Sequence, residues 1–243
     1  MPLALELAVQ DSAGARIARE IGAARVELCQ ALALGGLTPS AATVGQVLAA
    51  AGPGGPEVHV LVRPRGGDFH YDREELELTA RDIRHALDAG AHGVVIGAQA
   101  RSGILDRDAL ALLIDATGGA PATLHRAIDV TPDPVAALRL AIDLGFRRVL
   151  SSGAASRAID GLDVLRALVA EARGHIEVMA GSGVDAGNAA TIAASGVDAL
   201  HFSAKRVIAA GTGVQMGSAA DGGGGYEVTD RDAAVAVARA LGL

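Results

Sequence analysis

Apolar runs of three to seven residues recur along this chain, separated by longer stretches with helical patterning. Eight can be counted: Leu3–Val9, Arg25–Leu28, Val58–Arg63, Gly93–Ile96, Ala122–His125, Arg148–Leu150, Ile176–Met179 and Ala199–Phe202. Their starts lie roughly 20 to 35 residues apart, the length of a strand–helix repeat. In the third run, Val58, Val60 and Val62 alternate with His59, Leu61 and Arg63, the two-residue period of a strand. Strands alternating with helices predict a parallel sheet. Eight such units in 243 residues predict a single α/β domain over residues 1–243, a (β/α)8 TIM barrel, with an open doubly wound sheet as the rival.

Helix starts are marked by Thr38-Pro39, by Asp133-Pro134 and by Thr229-Asp-Arg-Asp232, which resembles a capping box opening a helix to Leu241. Ala89-Gly90 and Leu144-Gly145 mark helix ends. Residues 211–225 are glycine-rich and predict a mobile loop after the eighth strand, or a flexible tether for the last helix.

Alternation also sorts the strands into two faces. With Leu5, Leu7 and Val9 under the helices, Glu6 faces inward between Ala4 and Ala8. The same period turns Glu27 and Cys29, His59 and Arg63, Thr123 and His125, Glu177 and Met179, and His201 and Ser203 inward. Charges so placed must pair, because desolvation costs several kcal/mol per ion. A carboxylate–histidine–arginine network near the carboxyl ends of the strands is therefore expected. Glu6, His59, Glu177 and His201 fall deeper, where a purely structural role competes. Glu27, Arg63 and His125 fall nearer the ends, where barrel sites are built.

Three groups of loop residues carry candidate chemistry. After the third strand, Pro64 stops the ladder and Gly66-Gly67 frees backbone N–H groups beside Arg63, Arg65 and Asp68, an anion-receptive arrangement. After the fifth, His125-Arg126-Ala-Ile-Asp129 places an aspartate four residues beyond a histidine, a pattern for an oriented acid or base; alternatively Asp129 only begins the next turn. After the sixth, seventh and eighth, Ser151-Ser152-Gly153, Ala180-Gly181-Ser182-Gly183-Val184 and Ser203-Ala204-Lys205-Arg206 offer small residues suited to an anion, or glycines needed only for tight turns.

Composition narrows the partners. Aromatics are 2% of the chain, so Leu, Val, Ile and Ala must fill the core. A net charge of −7 argues against nucleic acid or an anionic membrane as partner. The single cysteine excludes an internal disulfide and fits a reducing, cytoplasmic setting, and Met1–Val9 is too short to span a bilayer. No Walker A or GxGxxG sequence points to a nucleotide cofactor, and no HExxH or CxxC to a metal. Cys29 with Met179 would suit Cu(I), and the histidines with carboxylates would suit zinc or Cu(II).

Taken together, Leu5-Glu6, Arg25-Val-Glu-Leu-Cys29, Gly35-Gly-Leu-Thr-Pro-Ser40, Arg63-Pro-Arg-Gly-Gly-Asp-Phe69 with Tyr71, His125-Arg-Ala127 with Asp129, Ser152-Gly153, Met179-Ala-Gly-Ser-Gly-Val184 and His201 with Ser203-Ala204 resemble the CutC family. The resemblance implies a cytoplasmic TIM-type barrel, usually a homo-oligomer, to which copper binding or tolerance has been attributed. Ala8 and Val9 stand where some relatives carry a cysteine, and Ser151 stands in place of the usual threonine. With Cys29 the only thiol, a multi-thiolate Cu(I) site within one subunit is impossible.

Two functions follow. In the first, copper is held through Cys29 with His or Met. In the second, an enzyme of lyase or isomerase type acts on a small phosphorylated or carboxylated molecule. Arg63, Arg65, Gly181–Gly183 and Ser203 would then hold the anion, Glu27, His125 and Asp129 would move protons, and Arg126 would stabilise developing negative charge. A partner-binding scaffold has no supporting motif. Metal analysis separates the two: Cys29→Ser should abolish Cu(I) binding under the first and leave anion binding intact under the second. Arg63→Ala or His125→Ala should do the reverse.

Overall fold

The sequence's alternating runs become strands of three to six residues in a computed structural model that describes residues 3–209 and 225–243. They are β1 (Ala4–Val9), β2 (Arg25–Leu28), β3 (Glu57–Leu61), β4 (Gly93–Ile96), β5 (Ala122–Leu124), β6 (Arg148–Ser151), β7 (Glu177–Gly181) and β8 (Ala199–Phe202). Each pairs in parallel with the next, and β8 pairs back to β1 with Glu6 beside His201, so the sheet closes. Closure excludes the open-sheet alternative: this is a (β/α)8 TIM barrel.

The outer layer comprises α1 (Ser12–Glu20), α2 (Ala41–Ala51), α3 (Arg73–Asp88), α4 (Arg107–Ala116), α5 (Pro134–Asp143), α6 (Leu162–Ala172), α7 (Ala189–Ala193) and α8 (Arg231–Ala240). Asp133 caps α5 with Pro134 in its first turn, and Gly90 and Gly145 follow α3 and α5 with positive φ. Two starts differ from expectation. Ser40 caps α2, because Thr38 is occupied by Arg63: its hydroxyl accepts from Arg63 N and donates to Arg63 O. Asp230 caps α8, because Thr229 ends a strand. That strand, β10 (Gly225–Thr229), pairs antiparallel with β9 (Lys205–Ala209) in a hairpin the sequence reading did not anticipate. The expected glycine-rich loop lies outside the described residues except for Gly225. Among the described residues, no helix is long and apolar enough to cross a membrane.

Two cores result. Leu5, Leu7, Val26, Leu28, Val58 and Val60 face outward into the layer under the helices; burying each such side chain stabilises by about 1.5–3 kcal/mol. The interior is polar at its waist. Arg25 Nε donates to Glu6 Oε2 at 3.0 Å and Arg25 Nη2 to Glu177 Oε1 at 2.6 Å. Arg148 Nε contacts Glu177 Oε1 at 2.8 Å as an ion pair rather than an aligned hydrogen bond, while its Nη1 donates to Thr123. Small apolar clusters, Leu150–Met179–Ala199 and Cys29–Leu61–Val95, fill the rest.

Removing Arg25 would take away the cation shared by two carboxylates, leaving Glu6 to His201 and Glu177 to Arg148. Arg25→Ala should therefore lower the unfolding free energy by up to about 3–5 kcal/mol, read as a lower urea midpoint. Arg166→Ala, which breaks an exposed pair with Asp163, should cost no more than ~1 kcal/mol.

Candidate active site

At the carboxyl ends of the strands, Glu27, Arg63, Phe69, His125, Arg126 and His201 line a chamber of about 260 Å³. A wider lobe of about 640 Å³ adjoins it, sharing Arg126, Leu150 and His201 and adding Ser182, Gly183, Ser203 and Lys205.

The floor of the chamber is set by Glu6. Burial opposes its ionisation, but the hydrogen bond with His201 and the charges of His201, Arg25 and His59 outweigh that and hold its carboxyl at about 2. An ionised Glu6 can only accept, so His201 Nδ1 donates to Glu6 Oε1 at 2.9 Å, which leaves Nε2 for the chamber. Burial disfavours the imidazolium of His201, yet the carboxylates of Glu27 and Glu6 raise its pKa overall. Glu27 behaves oppositely: burial and the charge of Glu6 push its carboxyl up to about 7, with His201 pulling against them. Glu6, Glu27 and His201 each place one donor atom within 4.8 Å of the others. Among the described residues Glu27 has no hydrogen-bond partner.

His125 does not pair with Asp129. It caps the short turn Arg126–Val130, its Nδ1 accepting from Ala127 N at 3.1 Å. Asp129 instead gathers the loop after β6: it accepts from Ser151 Oγ, Ser152 N and Oγ, Ala154 N and Arg126 Nε. This corrects the expectation of a His125–Asp129 acid–base pair, because a four-residue spacing in a 3-10 turn does not bring the two side chains together. Ser152 is consumed in the same knot, receiving Arg126 Nη2 at 2.7 Å. Gly153 lies where a Cβ would meet Gly161 O at 2.1 Å, so it permits a close backbone approach rather than ligand contact.

Arg63 reaches the chamber but spends Nη1 on Leu34 O and Gly36 O and Nη2 on Gly67 O, clasping two loops. Arg65 and Asp68 stand away from the chamber: Arg65 pairs with Glu75 and Asp68 and donates to His70 O. Of the second anion group, Ser182, Gly183 and Ser203 line the wider lobe, whereas Gly181 makes room for Leu150 and His201. Four strand-end loops carry a non-glycine residue at positive φ, Ala31, Ala154, Ser182 and Ala204. Such strain gathers at functional loops.

Cys29 is fully buried against Leu61 and Val95, and burial with the charge of Glu27 pushes its thiol well up. Met179 packs elsewhere, with Leu150 and Ala199, and touches Arg25. The residues do not fit Cu(I), which asks for several soft ligands at one centre. The oxygen and nitrogen donors of Glu6, Glu27 and His201 suit a harder divalent ion instead.

The sequence reading passed over Arg25 and Arg148, and it set His201 deeper in the barrel, where a structural role competes, outside the candidate site. The signal was present, since Arg25 shares the face of Glu27 two residues on.

Against known proteins, a family model described as the CutC family matches residues 3–206. A family protein CutC of Xylella fastidiosa is 42% identical over 229 residues, covering 94% of this chain and 85% of the relative. One from Caulobacter vibrioides is 46% identical over 200 residues, covering 82% and 80%. Among solved structures, one described as a copper homeostasis protein CutC from Streptococcus agalactiae superposes with a TM-score of 0.78 at 32% identity, covering 82% of this chain and 97% of that one. A structure described as an aldolase, at 16% identity and a TM-score of 0.61, shares the fold alone.

The raised pKa of Glu27 has a consequence for stability. Between about 4.5 and 7 Glu27 keeps a proton in the folded chain that it has lost in the unfolded one, so its contribution to stability falls as pH rises through that window, while the depressed pKa of His125 contributes in the opposite sense up to about 6.5. The Glu27 contribution should amount to a loss on the order of 3 kcal/mol. Glu27→Gln should remove it, read as the difference between variant and wild-type urea midpoints from pH 5 to pH 8.

Proposed function

Because the chain belongs to the CutC family, a name tied to copper homeostasis, we propose that its chamber is an active site for acid–base chemistry, of lyase or isomerase type, on a small phosphorylated or carboxylated metabolite. The observation that carries this is the pairing of Glu27, poised near neutrality, with a histidine that Glu6 fixes in one orientation. A group with a pKa near the working pH both takes and returns protons efficiently. His201, its pKa raised by the carboxylates of Glu27 and Glu6 and its ring held through Nδ1, offers Nε2 as the second proton-transfer atom.

Arg126 supports an anionic substrate. Its Nε and Nη2 are committed to Asp129, Ser152 and Ala155, which fix a guanidinium that lines both lobes and leave Nη1 without a hydrogen-bond partner among the described residues. Ser203 and the backbone around Ser182–Gly183 extend the anion site. A cytoplasmic setting belongs to this reading and is supported by the unpaired, buried Cys29. Homo-oligomeric assembly is carried over from the family resemblance.

A second reading, copper handling, rests on the family name and on the Streptococcus agalactiae relative. The donor set described above speaks against Cu(I) within one chain.

Thermal unfolding with 2-phosphoglycolate or malonate tests the proposal. Ligand at about a hundred times its Kd should stabilise by ~2.7 kcal/mol. Arg126→Ala should weaken binding about ten- to a hundredfold, the value of a charged hydrogen bond. One tightly held Cu(I) per chain, lost in Cys29→Ser, with no stabilisation by either anion would overturn this reading in favour of copper.

A further inference from the structure

We propose that His125 is a neutral hydrogen-bond donor to an enolate-like oxygen, so that the substrate is a small anion carrying a carbonyl with an acidic hydrogen on the adjacent carbon. The inference rests on the acid–base reading above and specifies its reaction class.

The backbone fixes the tautomer. Ala127 N–H donates to Nδ1 of His125, so that nitrogen carries a lone pair and the hydrogen of the neutral ring resides on Nε2. Nε2 is buried and has no partner among the described residues, yet the ring lines the chamber. A buried donor left unpaired costs about 1–3 kcal/mol, which a substrate oxygen would recover.

The ring is also held still. Gly97 lies beneath it so closely that a Cβ there would fall 2.4 Å from Cε1. Phe69 packs on it with centroids 4.5 Å apart, and Arg63 lies over Phe69 at 5.0 Å. Burial, reinforced by the charge of Arg63, keeps the imidazole neutral with a pKa of about 3. His125 therefore donates a hydrogen bond without surrendering its proton, as an oxyanion stabiliser does.

The chemistry closes with the groups present. Glu27 carboxylate takes the hydrogen from the carbon beside the carbonyl. The C–H pair becomes a carbon–carbon double bond, and the carbonyl π pair moves to oxygen, where Nε2–H of His125 meets the charge. On a substrate whose adjacent carbon also carries a hydroxyl, the hydroxyl proton passes to the enolate oxygen and Glu27 returns its proton to the former carbonyl carbon, so the carbonyl ends on the neighbouring carbon. The result is a 1,2-proton shift that consumes no oxidant or reductant.

Two probes separate ground state from intermediate: glycolamide, a carbonyl, and glycolohydroxamate, a planar mimic of an enediolate. In histidine-labelled wild-type protein, nitrogen NMR should show His125 protonated at Nε2 and not titrating between pH 5 and pH 9. Calorimetry should show the hydroxamate bound at least ~tenfold tighter than glycolamide, in keeping with oxyanion donors worth ~10²–10³ in rate. That preference should vanish in His125→Ala and return in part in His125→Gln, whose amide N–H reaches the Nε2 position. Equal binding of the probes, a proton on Nδ1, or an unchanged preference in folded His125→Ala overturns the inference and leaves the acid–base reading standing. Binding of neither probe, with 2-phosphoglycolate and malonate also failing to stabilise the protein, overturns both. The wild-type NMR result decides the tautomer even where a variant fails to fold.

Discussion

Arg25 reaches across the barrel from β2 to hold Glu6 on β1 and Glu177 on β7, and the chemistry of the chamber above depends on that reach. With Arg25 and His201 beside it, Glu6 stays ionised in a place where burial alone would neutralise it. An ionised Glu6 fixes the His201 tautomer, and its charge helps lift Glu27 toward neutrality. A structural ion pair at the waist thus becomes, one layer higher, the setting of two proton-transfer groups. The cost of desolvating such a network is repaid only when every member has its partner, and here Arg148 completes it on the far side.

Three histidine rings inside the barrel share a second device. Each lies against a glycine on the neighbouring strand or at its end: His59 against Gly93, His125 against Gly97, and His201 against Gly181. In each case an added Cβ would stand within about 3.2 Å of the ring, so the glycines are space reserved for imidazoles. Aromatic side chains are scarce, and the interior fills its width with these rings and with arginine stems.

The barrel was legible in the sequence because strand alternation and helix spacing repeat eight times, and repetition averages out local ambiguity. The polar face was legible for the same reason: inward positions of Glu27, His59, His125 and His201 follow from period two alone. What period two cannot supply is height along the strand and the direction of long side chains. It therefore missed Arg25 as the central bridge, and it brought Arg65 and Asp68 to a chamber from which Glu75 and a turn of backbone carry them away. Asp129 was misjudged because its partners, Ser151 and Ser152, arrive from another strand. The β9–β10 hairpin was obscured by the glycine-rich stretch it flanks.

The interior charges sum in a way that matters for any proton moved among them. Glu6 and Glu177 balance Arg25 and Arg148, leaving Glu27 and His201 as the variable pair. Whether the mobile proton sits on the carboxyl or on the imidazole, the charge summed over these six groups is unchanged. The barrel wall then sees a shifted dipole rather than a new net charge, and a dipole is much cheaper to accommodate in a low-dielectric medium than an isolated ion. The chamber can rearrange its proton without calling on solvent or counter-ions to follow.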